Sequence, residues 1–245
     1  MRAFAIIVFL CTLLASYLAY RYAEHTIKNK KPGFPVVLVH LCICLIAAFC
    51  VRFLQSKTPN DTFGIALLKS CASLPTVLLA YEGYRIERNI FDRFLLIAIL
   101  IGMAADVFIN MSAAAGAILF GIGHIVYMHA FIKEKRPSSK QVFLGVFISI
   151  LIAIVLIFLY SHINSVAMYL IAWIYLSILT FTTIFSFNMR KIVFIASLVF
   201  TLSDILLIIN ILIRPGFWAS LLSLCVYYLS LILYGVSIWE NKHLY

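Results

Sequence analysis

Charge is scarce in this chain. Asp, Glu, Lys and Arg make up 11% of its 245 residues, where soluble domains carry about 25%. Only nine residues are acidic. No low-complexity tract is present, and six prolines and ten glycines are spread thinly, which excludes a disordered tail protein. The six cysteines (Cys11, Cys42, Cys44, Cys50, Cys71 and Cys225) form no CxxC pair. All lie in or at the ends of apolar runs, so they read as small buried apolar residues and not as a secreted disulfide scaffold. What fills the chain is apolar: 64% of residues are hydrophobic and the mean hydropathy is +1.09. Burial in a soluble fold saturates near three quarters at ~300 residues, too little to hide such a composition. Lipid is therefore the solvent, and a cytosolic enzyme with one core is excluded.

A bilayer core of ~30 Å takes roughly 20 apolar residues of helix. Nine stretches fit: about 3–20, 35–54, 63–81, 93–110, 112–132, 141–160, 164–187, 190–213 and 217–239. Their apolar residues run all round the helix without a period of two, which argues against a β-barrel. Few residues remain for loops. The expectation is an all-α, polytopic transmembrane bundle of eight to nine spans, with nine preferred. Residues 1–245 form a single integral membrane domain, in which two N-terminal helices (1–62) precede a catalytic bundle (63–239). The first run lacks a small-x-small cleavage site and ends in Tyr17-Leu18-Ala19-Tyr20, so it reads as a retained helix.

The formal charge of +10 reports topology. With nine spans, one side carries Arg2, Arg52, Lys57 and Arg214, whereas 14 of the 19 basic residues fall on the other, from Arg21 to Lys242. Cytoplasmic loops collect Lys and Arg, so the reading is N-terminus out, C-terminus in. Nucleic acid drops out as a partner.

Ionisable groups inside a span cost ~2.5–3.5 kcal/mol even on the gentlest scale. Lys69, Asp106, His124 and Asp204 are such groups, and Asn110, Tyr127, Ser203, Asn210, Tyr227 and Tyr228 surround them in sequence. Asp106 and Asn110 are four apart and share a helix face. Gly116, Phe120, His124, Tyr127 and Phe131 step by three or four along the next span. Lys69, Ser73 and Thr76 form a similar stripe, as do Ser223, Tyr227, Ser230 and Tyr234. Asp106 and Asp204 both lie about 20 Å from the basic end at ~1.5 Å per residue, with Lys69 within a turn of that level. One polar chamber is expected to hold all three.

Several chemistries lack their residues. His124 and His129 are five apart and share no face, so the ligand set of a zinc hydrolase is missing. GxSxG, Walker and GxGxxG sequences are absent, as are the YD and GxGD signatures of intramembrane aspartyl proteases. No metal and no cofactor is expected. Two carboxylates can still perform acid/base work unaided, one as a protonated donor and one as an ionised base. The same acids would also serve a proton-coupled transporter or a lipid-binding membrane protein.

The segment Ile101 to Asn110, followed by Gly116-x3-Phe120-x3-His124-x2-Tyr127-x3-Phe131, resembles the lysoplasmalogenase (YhhN-type) family of membrane hydrolases. Phe200-x2-Ser203-Asp204-x5-Asn210 and Tyr227-Tyr228 resemble two further family segments, and Lys69 stands where the family has a lysine. Ala105 replaces the usual glycine before the first aspartate, and the first span is additional to the family's eight helices. The resemblance covers roughly residues 63–237. It implies hydrolysis of the vinyl ether bond of a lysoplasmalogen, giving a fatty aldehyde and a glycerophospho-ethanolamine or -choline. Asp106 and Asp204 would be catalytic. His124 and Tyr127 would position water or phosphate, and Lys69 would hold the phosphate or tune an aspartate. Asn110, Ser203, Asn210, Tyr227 and Tyr228 would support or line the pocket. The partners implied are a lysophospholipid substrate and membrane lipid, in a bacterial inner membrane or the endoplasmic reticulum of a eukaryote.

Overall fold

The computed structural model describes residues 34–158, 165–213 and 216–239, and Ile7 before them. They form eight helices: α1 (Phe34–Lys57), α2 (Thr62–Glu87), α3 (Ile90–Phe108), α4 (Ala113–Glu134), α5 (Ser139–Phe158), α6 (Val166–Ser186), α7 (Lys191–Ile213) and α8 (Phe217–Ser237). No strand occurs among the described residues. Seven of the eight are long and apolar enough to cross a membrane. The exception, α3, carries Asp92, Arg93 and Asp106 within 19 residues. The expected first span, 3–20, lies outside the described residues.

Short polar side chains set the helix starts. Asp61, Asn89, Ser112 and Ser165 each accept a hydrogen bond from the backbone N–H three residues on, satisfying donors that the first turn leaves unpaired. The expected span 93–110 is shifted for a related reason. The Asn110 side chain turns back to the Asp106 carbonyl at 2.8 Å and ends α3 early. Asp106 consequently stands in the last turn of its helix.

Seven helices close a ring in the order α1, α2, α3, α4, α6, α7, α8, and α8 returns to α1. Within it α8 also touches α2 and α3, so its tyrosines meet several helices. α5 stands outside, packed on α6, with Phe143 and Phe158 facing outward. The core lies inside the ring, where Leu95, Ile99, Phe131, Tyr228, Leu231 and Tyr234 are fully buried.

Among the described residues, Arg85, Arg88, Arg93, Lys133, Lys135, Arg136, Lys140, Arg190 and Lys191 gather at one end of the bundle. That end contains a buried latch. Arg190 donates to Asp92 at 3.2 Å and to the Ser237 carbonyl at 2.5 Å, with its guanidinium 5.2 Å from the Phe91 ring centre. Asn89 also donates to Asp92, whose side chain is fully buried. The start of α3, the entry to α7 and the end of α8 are thereby tied together.

The opposite end turns tightly between α3 and α4. A Cβ on Gly116 would lie 2.6 Å from Ile109 Cα, a backbone atom that cannot swing aside. Gly116→Ala is therefore expected to displace the turn just beyond Asp106 and cost about 1–3 kcal/mol. A lowered thermal midpoint in detergent checks this, and an unchanged midpoint contradicts it.

Candidate active site

Asp106, on α3, is held from two other helices, α2 and α8. Ser73 of α2 donates to its Oδ2 at 2.5 Å, and Tyr227 of α8 donates to the same oxygen at 3.0 Å. Lys69, one turn before Ser73, lies within electrostatic reach of the carboxylate. Both Lys69 and Asp106 are buried. Tyr228, fully buried beside Tyr227, also lies close to Asp106.

Asp204 of α7 has a separate set of partners. Tyr175 of α6 donates its hydroxyl to Oδ2, and Ser203 lies within hydrogen-bonding range of the carboxyl. Ser203 also donates to the Phe200 carbonyl at 2.7 Å, and its own carbonyl accepts from Ser223 at 3.2 Å. Thr183 and Thr201 share a hydrogen bond of 2.8 Å, a further tie between α6 and α7.

Aromatic rings link the two carboxyl sites. Tyr227, bonded to Asp106, stands 5.5 Å from Phe200, whose ring is 4.5 Å from His124. His124 is 6.2 Å from Tyr175, the partner of Asp204. Tyr127 stacks on Tyr234 at 4.3 Å and lies 5.9 Å from His124. Among the described residues neither His124 Nδ1 nor the Tyr127 hydroxyl has a hydrogen-bond partner, although both are buried. A buried polar atom left unpaired costs about 1–3 kcal/mol. These two atoms are therefore available to a polar ligand or a water, whereas both carboxylates are already engaged.

The remaining residues divide by place. Asn110 spends its amide on the end of α3, at the Asp106 and Val107 carbonyls. Asn210 falls in α7, and its side chain lies outside the described residues. Tyr175 was not expected from the sequence. Its signal is a stripe shared with Leu179, Thr182 and Ser186 at helical spacing, on a span that also carries Tyr169, Trp173 and further Ser, Thr and Phe residues. No group of three or more His, Cys, Asp or Glu converges as a metal ion would need among the described residues.

A family model, the YhhN family, matches residues 66–237 of this sequence. The chain belongs to the YhhN family. This is the lysoplasmalogenase family, and the match covers most of the chain. No curated protein and no solved structure matches. The YhhN match includes both acids and every side chain described above as touching them, and it leaves α1 outside. In this YhhN protein α1 nonetheless packs on α2 and α8, the two helices that hold Asp106.

Proposed function

We propose that this membrane protein hydrolyses the vinyl ether bond of lysoplasmalogens, with Asp106 and Asp204 as its acid/base groups. YhhN membership supports the reaction class. The observation that carries the residue assignment is the pair of buried carboxylates, each hydrogen-bonded by a tyrosine and linked through the rings around His124. Each acid has its own partners, an arrangement that suits two carboxyl groups working from different sides of a reacting bond and a water.

In the chemistry, one carboxyl protonates the alkenyl carbon further from the ether oxygen, and positive charge spreads over the neighbouring carbon and oxygen. Water attacks that carbon and gives its proton to the other carboxylate. The hemiacetal then collapses: its hydroxyl proton returns to the first acid, and the glycerol oxygen leaves with the proton from the second. Aldehyde and free glycerophospho-headgroup result, and both carboxyl groups regain their starting states. His124 and Tyr127 position the water or a phosphate oxygen, while Lys69 neutralises Asp106 or holds the phosphate. Ser203, Asn110, Asn210, Tyr227 and Tyr228 support the pocket.

The basic end faces the cytoplasm in this reading, because Lys and Arg are retained there. Nine spans place the N-terminus outside. The whole chain acts as one membrane domain, its catalytic part beginning near residue 63. Purified protein supplied with lysoplasmenylethanolamine tests the proposal. Release of fatty aldehyde supports it. Absence of product, with proton-dependent flux into sealed vesicles, would replace it with a transporter.

A further inference from the structure

A cleft of about 220 Å³ opens between α4 and α6, lined by Ala117, Ile118, Gly121, Ile122 and Ile125 on one side and Ile171, Ile174, Tyr175 and Ile178 on the other. Every lining side chain but one is aliphatic. The exception is Tyr175, whose hydroxyl is bonded to Asp204 and whose ring neighbours His124. Ile122 and Ile174 on the walls are 43% and 52% exposed, on the outer surface of a ring that faces lipid. The cleft thus joins the surrounding hydrocarbon to Tyr175, the hydrogen-bond partner of one of the two acids.

We propose that this cleft receives the single hydrocarbon tail of the substrate, entering sideways from the bilayer, and brings the reacting end of the tail to Tyr175 and Asp204. This deepens the hydrolase reading and rests on it for the identity of the lipid. Size supports a lone chain: pockets that enclose a drug-sized ligand measure roughly 300–1,000 Å³, and one of ~150 Å³ accepts benzene. A cleft of this size and apolar lining suits a slender hydrocarbon chain better than a headgroup. Its walls offer a headgroup no charge and no free donor, so the polar end must lie beyond Tyr175, toward the buried side chains. Along α4 the lining runs from Ala117 to Ile125, about 12 Å of helix, which matches an extended alkyl segment.

The orientation also divides the work of the acids. The alkenyl carbon that takes the first proton is the one on the tail side of the vinyl ether. A tail in the cleft sets that carbon nearest Asp204, so Asp204 is the proton donor to carbon and Asp106 the base toward water.

Gly121 is the place to close the cleft. A Cβ there would meet Ile178 Cδ1 and Tyr175 Cδ2 at 3.9 Å, ordinary contact, so a larger side chain would fill the opening without striking backbone. Full-length protein in phosphatidylcholine nanodiscs is illuminated with a lysophosphatidylethanolamine carrying a diazirine midway along its tail. Labelled positions are then read by mass spectrometry. Labels are expected within 117–125 and 171–178, displaced by unlabelled lysolipid and reduced at least tenfold in Gly121→Phe. Ile174→Trp, at an exposed position on the other wall, should do the same if Gly121→Phe folds poorly. Labelling spread evenly over the helices, labelling unaffected in the folded variants, or equal labelling by a two-chain probe would each overturn the proposal. In the aldehyde assay, the preference for long over short alkenyl chains in kcat/KM should fall at least tenfold in the same variants. Failure of the wild type to release aldehyde would remove the hydrolase reading, while the labelling pattern judges the cleft separately.

Discussion

Asp204→Asn protein releases aldehyde about 10²–10⁴-fold more slowly than wild type, the range that a positioned acid or base contributes. Asp106→Asn does the same. Both variants should fold, because an asparagine carbonyl can still accept from Tyr175 in one case and from Ser73 and Tyr227 in the other. Each variant removes the capacity to give or take a proton while keeping size and shape. The double variant should be little slower than the slower single one, since groups acting in one reaction are strongly non-additive. Rates equal to wild type in either single variant, with enzyme shown to be folded by its thermal midpoint, would exclude that acid from the chemistry.

The largest stability effect is expected at the basic end, far from the acids. Asp92→Ala leaves the Arg190 guanidinium without its carboxylate. The Arg190 side chain is only 12% exposed, and that of Asp92 is not exposed at all. Breaking a buried pair by removing one partner costs about 3–5 kcal/mol. Asp92 also fills the first turn of α3, where negative charge meets the positive end of the helix dipole. Arg190→Met should be milder when combined with Asp92→Leu than Asp92→Ala is alone, because the double variant leaves no stranded charge. Thermal midpoints of the detergent-purified proteins decide between these outcomes. Indistinguishable midpoints for wild type and Asp92→Ala would show the latch to be dispensable.

Much of this architecture can be read from the sequence because lipid imposes a simple length rule on helices. The α4 stripe was legible for a further reason: His124, Tyr127 and Phe131 must turn toward the protein interior, and all three are buried there. Asn89, Ser112 and Ser165 also mark helix starts, a signal that apolar length alone passes over, so the span expected from 93 begins at Ile90. The end of α3 was less visible, since apolar composition continues through Ile109, while the helix closes in a tightened turn at Asn110 and Met111 with the Asn110 side chain on the Asp106 carbonyl. Neighbour relations were the hardest to read. In a bilayer, a helix surface facing lipid and one facing another helix are equally apolar, so nothing in α5 announces its place outside the ring. Tyr175 eluded the sequence reading on the same account. Its partner lies 29 residues away on another helix, and no local spacing joins the two. The Asp92–Arg190 latch spans 98 residues, so from the sequence Arg190 registers only as one of the basic loop residues.

The displaced position of α5 has a mechanical consequence. Successive spans alternate in direction, so α4 and α6 run parallel although they stand side by side in the ring. Parallel neighbours cannot share a hairpin. From α1 through α4, and again from α6 through α8, each ring helix is joined to the next by a short connection, whereas the chain leaves the ring through α5 to pass from α4 to α6. This seam therefore has no covalent staple at either rim, only side-chain packing, one hydrogen bond of 3.3 Å from the Thr182 hydroxyl to the His124 carbonyl, and a long external strap. Spreading it bends no tight turn, and α5 limits how far the two sides can travel.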